Sequence, residues 1–440
     1  MRQVIVAAVA LMLMPARAWA QPTPAPLSIT VDDAIARGLA ASHRLAEAIA
    51  RGDAAQAAVA QSRAAALPQV AAQAGYTRTN HVDAFAIVVP NGPLQLIYPD
   101  VPNNYRTRLD LQWPIYTGGR VEAFERAAQR EASAAAQDVE AARADLRLEI
   151  TRAYWAVVTA TESQRVVDES VGRVDAQLAD ARHQLEAGLI PPNDVLTIEA
   201  QAAHQRMLSV QAHSLRDVTE SQLAYLIGAE PGTPIVAVSA LEVSPLPIPT
   251  LDVLTAAARR QRPERAALDS RAAAAGDRTR AAQAERRPTI AIGGGADYAR
   301  PNPRIFPRQD VWASSWDASV NVSWPIFDGG RAGADVAAAQ AGQRAAQARL
   351  ADFDAALSFD LQQRASEVLS SRAAIAAAEQ GVRAAAEARR VVADRFAAGV
   401  ATSTDVLNAQ VALLQAGLDR TQALAAAKLA DARLSRAVGQ

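Results

Sequence analysis

The sequence predicts a mainly α-helical fold carrying β-hairpins, built by using one helix–hairpin–helix unit twice, and three observations predict it. First, the stretch from Trp113 to Gly228 is repeated from Trp324 to Gly439, each matching pair lying 211 positions apart with no gap. Thus Trp113-Pro114-Ile115-Tyr116-Thr117-Gly118-Gly119-Arg120 returns as Trp324-Pro325-Ile326-Phe327-Asp328-Gly329-Gly330-Arg331. Second, 50% of the residues are hydrophobic but only 5% are aromatic, because alanine supplies much of that half. Alanine favours helix and close helix approach while burying little area. Third, each copy holds two segments of about ten residues in which small or apolar residues alternate with polar ones, the period of a strand. A repeat of this kind is one supersecondary unit used twice, so the function has to suit a twofold pseudosymmetric body.

Residues 1–20 show a basic start at Arg2, an apolar run from Val4 to Met14 and the small-x-small end Ala18-Trp19-Ala20, the pattern of a cleaved signal peptide. The run is shorter than the roughly 20 residues a membrane-crossing helix needs, so the mature chain is expected to begin at Gln21. The first repeat is expected over 21–228, a linker over 229–249 and the second repeat over 250–440. Upstream of the matched block the shift is 220, pairing Thr30-Val31-Asp32 with Thr250-Leu251-Asp252. The change to 211 places extra residues in the first copy between Tyr76 and Trp113.

Within a repeat the elements follow in order. Thr30 is an N-cap, with Asp32 and Asp33 in the first turn of a short helix. A break at Ser42-His43, matched by Arg262-Pro263, leads into an alanine-rich helix that stops before Pro68. Hairpins are expected over 69–115 and 289–326. In the second, Trp316, Ala318, Val320, Val322 and Trp324 share one face, and Ile290, Ile292, Ala296 and Tyr298 share a face of the partner strand. The connections 78–104 and 300–312, rich in Pro and Asn, read as exposed loops. Long helices follow over 120–187 and 331–398, each roughly 100 Å at about 1.5 Å per residue, then return helices over 193–227 and 403–438.

Composition excludes several chemistries. The absence of cysteine removes disulfides, thiolate metal sites, a cysteine nucleophile and a cysteine-linked lipid anchor. With 45 basic and 46 acidic side chains, no bulk field favours nucleic acid. His43, His81, His183, His204 and His213 form no metal-binding signature, no cofactor is implied, and nothing resembles a catalytic constellation, so an enzyme is not expected. Gly118-Gly119 and Gly329-Gly330, lacking a following Lys-Ser/Thr, read as strand-to-helix turns rather than phosphate loops.

Strands of about ten residues with Trp and Tyr near their ends fit a membrane barrel with aromatic girdles. Trp113, Trp316, Trp324, Tyr76 and Tyr298 are the candidate membrane-interface residues. Two hairpins supply four strands, whereas closed barrels need about eight or more, and open edges do not persist in lipid. The chain is therefore expected to oligomerise through its strands, two copies or three fitting equally. A soluble periplasmic coiled-coil scaffold is the alternative, with the strands in water.

The duplicated unit, the Trp-Pro-Ile-(Tyr/Phe)-x-Gly-Gly-Arg join and the glycine-to-Asp-Val-Leu turn resemble the TolC family of outer-membrane efflux proteins over nearly the whole mature chain. The resemblance implies a homotrimer whose twelve-stranded β-barrel in outer-membrane lipid continues into a long α-helical barrel in the periplasm of a Gram-negative bacterium. It implies docking to a periplasmic adaptor and an inner-membrane pump of RND or ABC type, for efflux or type I secretion. The missing cysteine places the chain nearer the unlipidated branch.

The turns after the long helices are the candidate tips. Gly188 and Gly399 suit a left-handed helix end, and by resemblance they let an adaptor approach, together with Leu189, Val195, Leu196, Val400, Val406 and Leu407. Asp405 and Asn408, one turn apart, and Asp194 are the candidate pore-constriction residues, since repeated acids at a narrow mouth attract cations. Where the family has a tyrosine and an arginine that lock the mouth, this chain has Phe396 and Ala401, which puts that polar lock in doubt.

Overall fold

The computed structural model describes residues 26–90, 92–242 and 247–440 and is mostly helical with some sheet. The expected signal peptide lies outside the described residues. In the first copy the order is β1 (Leu27–Ile29), α1 (Val31–Ala41), α2 (His43–Ala64), β2 (Gln69–Arg78), β3 (Phe85–Val88), β4 (Leu94–Tyr98), β5 (Asn103–Tyr116), α3 (Arg120–Glu186) and α4 (Pro192–Leu226). After β6 (Ile235–Ala237) come α5 (Leu251–Gln261), α6 (Pro263–Ala284), β7 (Thr289–Arg300), β8 (Ala313–Ser323), α7 (Arg331–Ala397) and α8 (Ser403–Val438). The backbone divides into two compact units, one made of residues up to 42, 147–246 and 367–432, the other of 43–146, 247–366 and 433–440.

The second of these units holds an antiparallel sheet in the order β2-β5-β7-β8. The two hairpins are joined through β5 and β7, so β2 and β8 are left as edges. Pairing Leu109 with Ala296, and Ala296 with Trp316, puts the apolar positions of three strands in one row on one face. The next row, Asp110, Gly295 and Asp317, belongs to the other face. Helices meet in this unit around Leu254, Ala258, Leu357, Leu361, Ala437 and Val438. Arg436 fastens the chain end there, with Nε 2.9 Å from Asp145 and a further ion pair to Glu264.

Two expectations are corrected here. Trp113, which with Pro114 after it reads in the sequence as the end of its strand, does not end it: β5 runs on through Pro114 to Tyr116, with a register shift between Pro114 and Tyr116 that accommodates the missing proline N–H. Trp324 lies one residue beyond β8 and its indole N–H donates to the Arg286 carbonyl at 3.2 Å. The first long connection is also not irregular throughout, since β3 and β4 pair as an antiparallel ribbon.

The other unit contains the parallel pair β1–β6. Tyr154, fully buried on α3, donates its hydroxyl to the Ile29 carbonyl at 3.1 Å and accepts from Ser239 N–H at 3.0 Å, tying a helix to β1 and to the segment that follows β6. Gly38 lets α1 lie close to its neighbours: a Cβ there would stand 2.4 Å from Ile150 Cδ1 and 3.1 Å from the Leu226 carbonyl.

Candidate functional site

The sheet has two unlike faces: the apolar one is uncovered, and the polar one is covered toward one end, where Asp297 and Ala299 are buried. On the apolar face Trp316 is 76% exposed and Val320 69%, with Val70, Leu109, Tyr76, Tyr298 and Trp113 also exposed. A soluble sheet buries such a face against helices, whereas here these side chains are left uncovered. Toward the end farthest from the helices an aromatic row crosses the strands. Tyr76 lies 5.1 Å from Tyr105, Tyr105 5.9 Å from Trp312, and Trp312 stacks on Tyr298 at 4.9 Å between centroids.

The polar face carries an ion cluster that sequence reasoning missed. Arg106 reaches Asp297 at 2.6 Å, and Arg108 pairs with Asp110, Asp297 and Asp317. Arg108 crosses β7 at Gly295, where a Cβ would lie 2.3 Å from Nη2. Gly295 thus makes room for the Arg108 guanidinium beside the strand. The signal available in the sequence was an acid at a polar-face position in three of the four strands, Asp110, Asp297 and Asp317.

At the strand-to-helix joins, Gly118, Gly119, Gly329 and Gly330 all have φ between 68° and 91°, which only glycine adopts without strain. Gly118 also packs tightly, a Cβ there falling 2.7 Å from Arg287 Cβ. In the second copy Asp328 caps α7 by accepting from the N–H groups of Gly330 and Ala332 at 3.0 and 2.8 Å. Those backbone donors hold its carboxyl below the usual range, with the Ala332 N–H foremost.

The two turns after α3 and α7 are built alike. Gly188 and Gly399 have φ of 73° and 75°. Leu189 N–H reaches the Gln184 carbonyl, and Val400 N–H the Arg395 carbonyl, each at 2.8 Å, the bond that closes a helix through a left-handed residue. Of the apolar tip candidates, Leu189, Leu196 and Val400 are exposed. Val195 and Leu407 are instead buried in one cluster with Val174, Leu178 and Ile198, and Val406 is buried as well, so those three pack the turns from within.

The aspartates differ. Asp405 forms a reciprocal cap with Thr402: its N–H donates to Thr402 Oγ1 at 3.2 Å and its carboxylate accepts from Thr402 N–H at 2.9 Å. Its carboxyl is held low, chiefly by that backbone N–H. Asp194 accepts from Asn193 Nδ2 at 3.0 Å, and α4 starts on Pro191 without a side-chain cap. Asn408 is exposed one turn beyond Asp405, and Phe396 and Ala401 are half-buried. Among the described residues no group of three His, Asp or Glu suited to a metal occurs, and no helix is long and apolar enough to cross a membrane.

A family model described as outer membrane efflux protein matches residues 34–229 and 254–440. The chain is 29% identical over 325 residues to Protein CyaE of Bordetella pertussis, a match covering 72% of this chain and 64% of that relative's length. It is also similar to two solved structures. The outer membrane protein VceC of Vibrio cholerae is 22% identical with a TM-score of 0.77, over 93% of this chain and 96% of that one. The Neisseria gonorrhoeae MtrE outer membrane channel, in its open state, is 19% identical with a TM-score of 0.75, over 93% and 88%. At these identities the two structures establish the fold.

Proposed function

The chain belongs to the outer membrane efflux protein family, and from that premise we propose that it is the passive exit duct of a tripartite efflux pump or type I secretion system. The observation that carries this reading is the sheet: four strands with an exposed apolar face, a charged face and two unpaired edges. Lipid suits the first face, a water-filled lumen suits the second, and the edges must pair with other copies because no backbone donor persists unpaired in hydrocarbon. Three copies joined β8 to β2 close a barrel of about twelve strands, within the size range of such barrels.

In this reading the protein resides in the outer membrane and extends into the periplasm. Trp113, Trp316, Trp324, Tyr76 and Tyr298 meet the lipid and its interfaces. Asp405, Asn408 and Asp194 line the constriction. Gly188, Gly399 and the exposed Leu189, Leu196 and Val400 meet a periplasmic adaptor, which links the duct to an inner-membrane pump of RND or ABC type. The test is fractionation followed by reconstitution. A trimer that requires detergent for extraction from outer membranes and conducts ions in planar bilayers supports the proposal; a monomer released by osmotic shock that conducts nothing overturns it.

A further inference from the structure

The polar face of the sheet is closed over at its far end by the connection between β7 and β8. Instead of projecting outward, the chain turns after Arg300 onto the polar side: Pro301 is buried and Asn302 is 2% exposed. Asn302 Nδ2 donates to the Ala313 carbonyl at 2.9 Å and to Ser315 Oγ at 3.0 Å, while its Oδ1 accepts from Arg304 N–H at 2.9 Å. The Arg304 guanidinium reaches Asp317 at 2.8 Å and the Trp316 carbonyl at 2.9 Å. Ser315 and Asp317 both project from the charged face, so this stretch lies over β8 and β7.

Four residues later the chain is fixed on the other side. Arg308 donates from its backbone to the Ile97 carbonyl at 3.2 Å, and from its guanidinium to the Tyr98 hydroxyl and Asn104 Oδ1 at 2.6 Å each. It also lies over the Tyr98 ring, 5.1 Å from the centroid. Beneath the crossing is a cavity of about 320 Å³ whose walls include Gln73, Gly75, Thr77, Arg106, Pro301 and Arg308. Only at Trp312 does the connection return to the apolar face, where it stacks on Tyr298. The crossing and the rows beneath it carry four arginines, 106, 108, 304 and 308, against three aspartates, 110, 297 and 317.

We infer that residues 301–308 form an inward strap that narrows the outer mouth of the duct and gives it a basic lining, so that this mouth prefers anions. The inference rests on the reading that the charged face lines the lumen. Fixed charge at a constriction selects by sign because the ion there has shed part of its water and has few screening neighbours. The ties from Asn302, Arg304 and Arg308 hold the strap at three points, so it narrows the path in the resting molecule.

The chain has no cysteine of its own, and Phe306 is 75% exposed at the middle of the strap. In planar bilayers, a bulky thiol reagent should lower the current of the Phe306→Cys trimer in steps and leave the parent untouched. The Arg304→Gln, Arg308→Gln double variant should raise single-channel conductance roughly 1.5-fold or more and move the reversal potential in a KCl gradient toward cations. The thiol measurement does not depend on the arginine variant folding. If the parent conducts while the reagent leaves the Phe306→Cys current unchanged, the strap is outside the ion path and the inference fails with the duct intact; if the parent conducts nothing, the duct reading itself falls.

Discussion

Thr402 gives both its backbone N–H and its hydroxyl to Oδ2 of Asp405, at 2.9 and 2.7 Å. The pair starts α8, and the donors keep the carboxyl ionised to lower pH than usual. Because its folded pKa is depressed, the tie is present above the ordinary carboxylate range and is lost only as pH falls through the lowered value. Cation block measured in planar bilayers should therefore stay constant from about pH 8 to about pH 5 as far as this group is concerned. Replacing Asp405→Asn together with Asn408→Ala should weaken the block at every pH in that window; unchanged block would remove both residues from the constriction.

The split between buried and exposed tip residues separates stability from docking. Leu407→Ala removes a side chain packed with Val195, Val174 and Leu178, and should cost about 2–5 kcal/mol in denaturant unfolding. Leu189→Ser and Leu196→Ser alter exposed positions, so unfolding should move by no more than about 0.5 kcal/mol. Binding of the cognate adaptor, read by co-purification from membranes, should nevertheless drop in both serine variants.

Gly295→Ala should disrupt the charged face, since the new methyl would displace the Arg108 guanidinium that bridges Asp297 and Asp317. The heat resistance of the assembled oligomer on gels should fall. Gly75→Ala, on the same face with nothing within 4 Å of its new Cβ, is the control and should leave it unaltered.

Arg436 is 8% exposed and bridges Asp145 and Glu264 near the chain end. Arg436→Ala should destabilise by about 2–3 kcal/mol, less than a fully buried pair because Asp145 is solvated. Burial alone would raise the Glu264 carboxyl, but the guanidiniums of Arg436 and Arg262 outweigh it and hold it low. The ion-pair part of the loss should thus be full above the ordinary Glu range and shrink as pH falls through the lowered value, which acid titration of both proteins would read.

The repeat made much of the architecture legible: residues 211 apart in sequence occupy matching places, as Gly188 and Gly399 do with φ of 73° and 75°. Alternation along β7 and β8 announced which side chains share a face, because the side-chain period in a strand is two. Shorter or nonlocal features left no such trace. β1 and β6 are three residues each, too short for a period, and they pair across some two hundred positions of sequence. The ribbon β3–β4 was masked by Pro90, Gly92 and Pro93, which read as loop. Burial of Val195 and Leu407 depends on which helix lies opposite, and Arg108 over Gly295 depends on strand register. Neither is written in any local window.

Among the described residues the ribbon β3–β4 has no counterpart in the second copy, and Arg308 from the second copy holds it by Tyr98. An assembly of several chains would therefore look doubly periodic along its rods yet singly periodic at its outermost rim. A reagent that grips this ornament would report the stoichiometry of subunits, whereas one that grips the rods would count both halves of each.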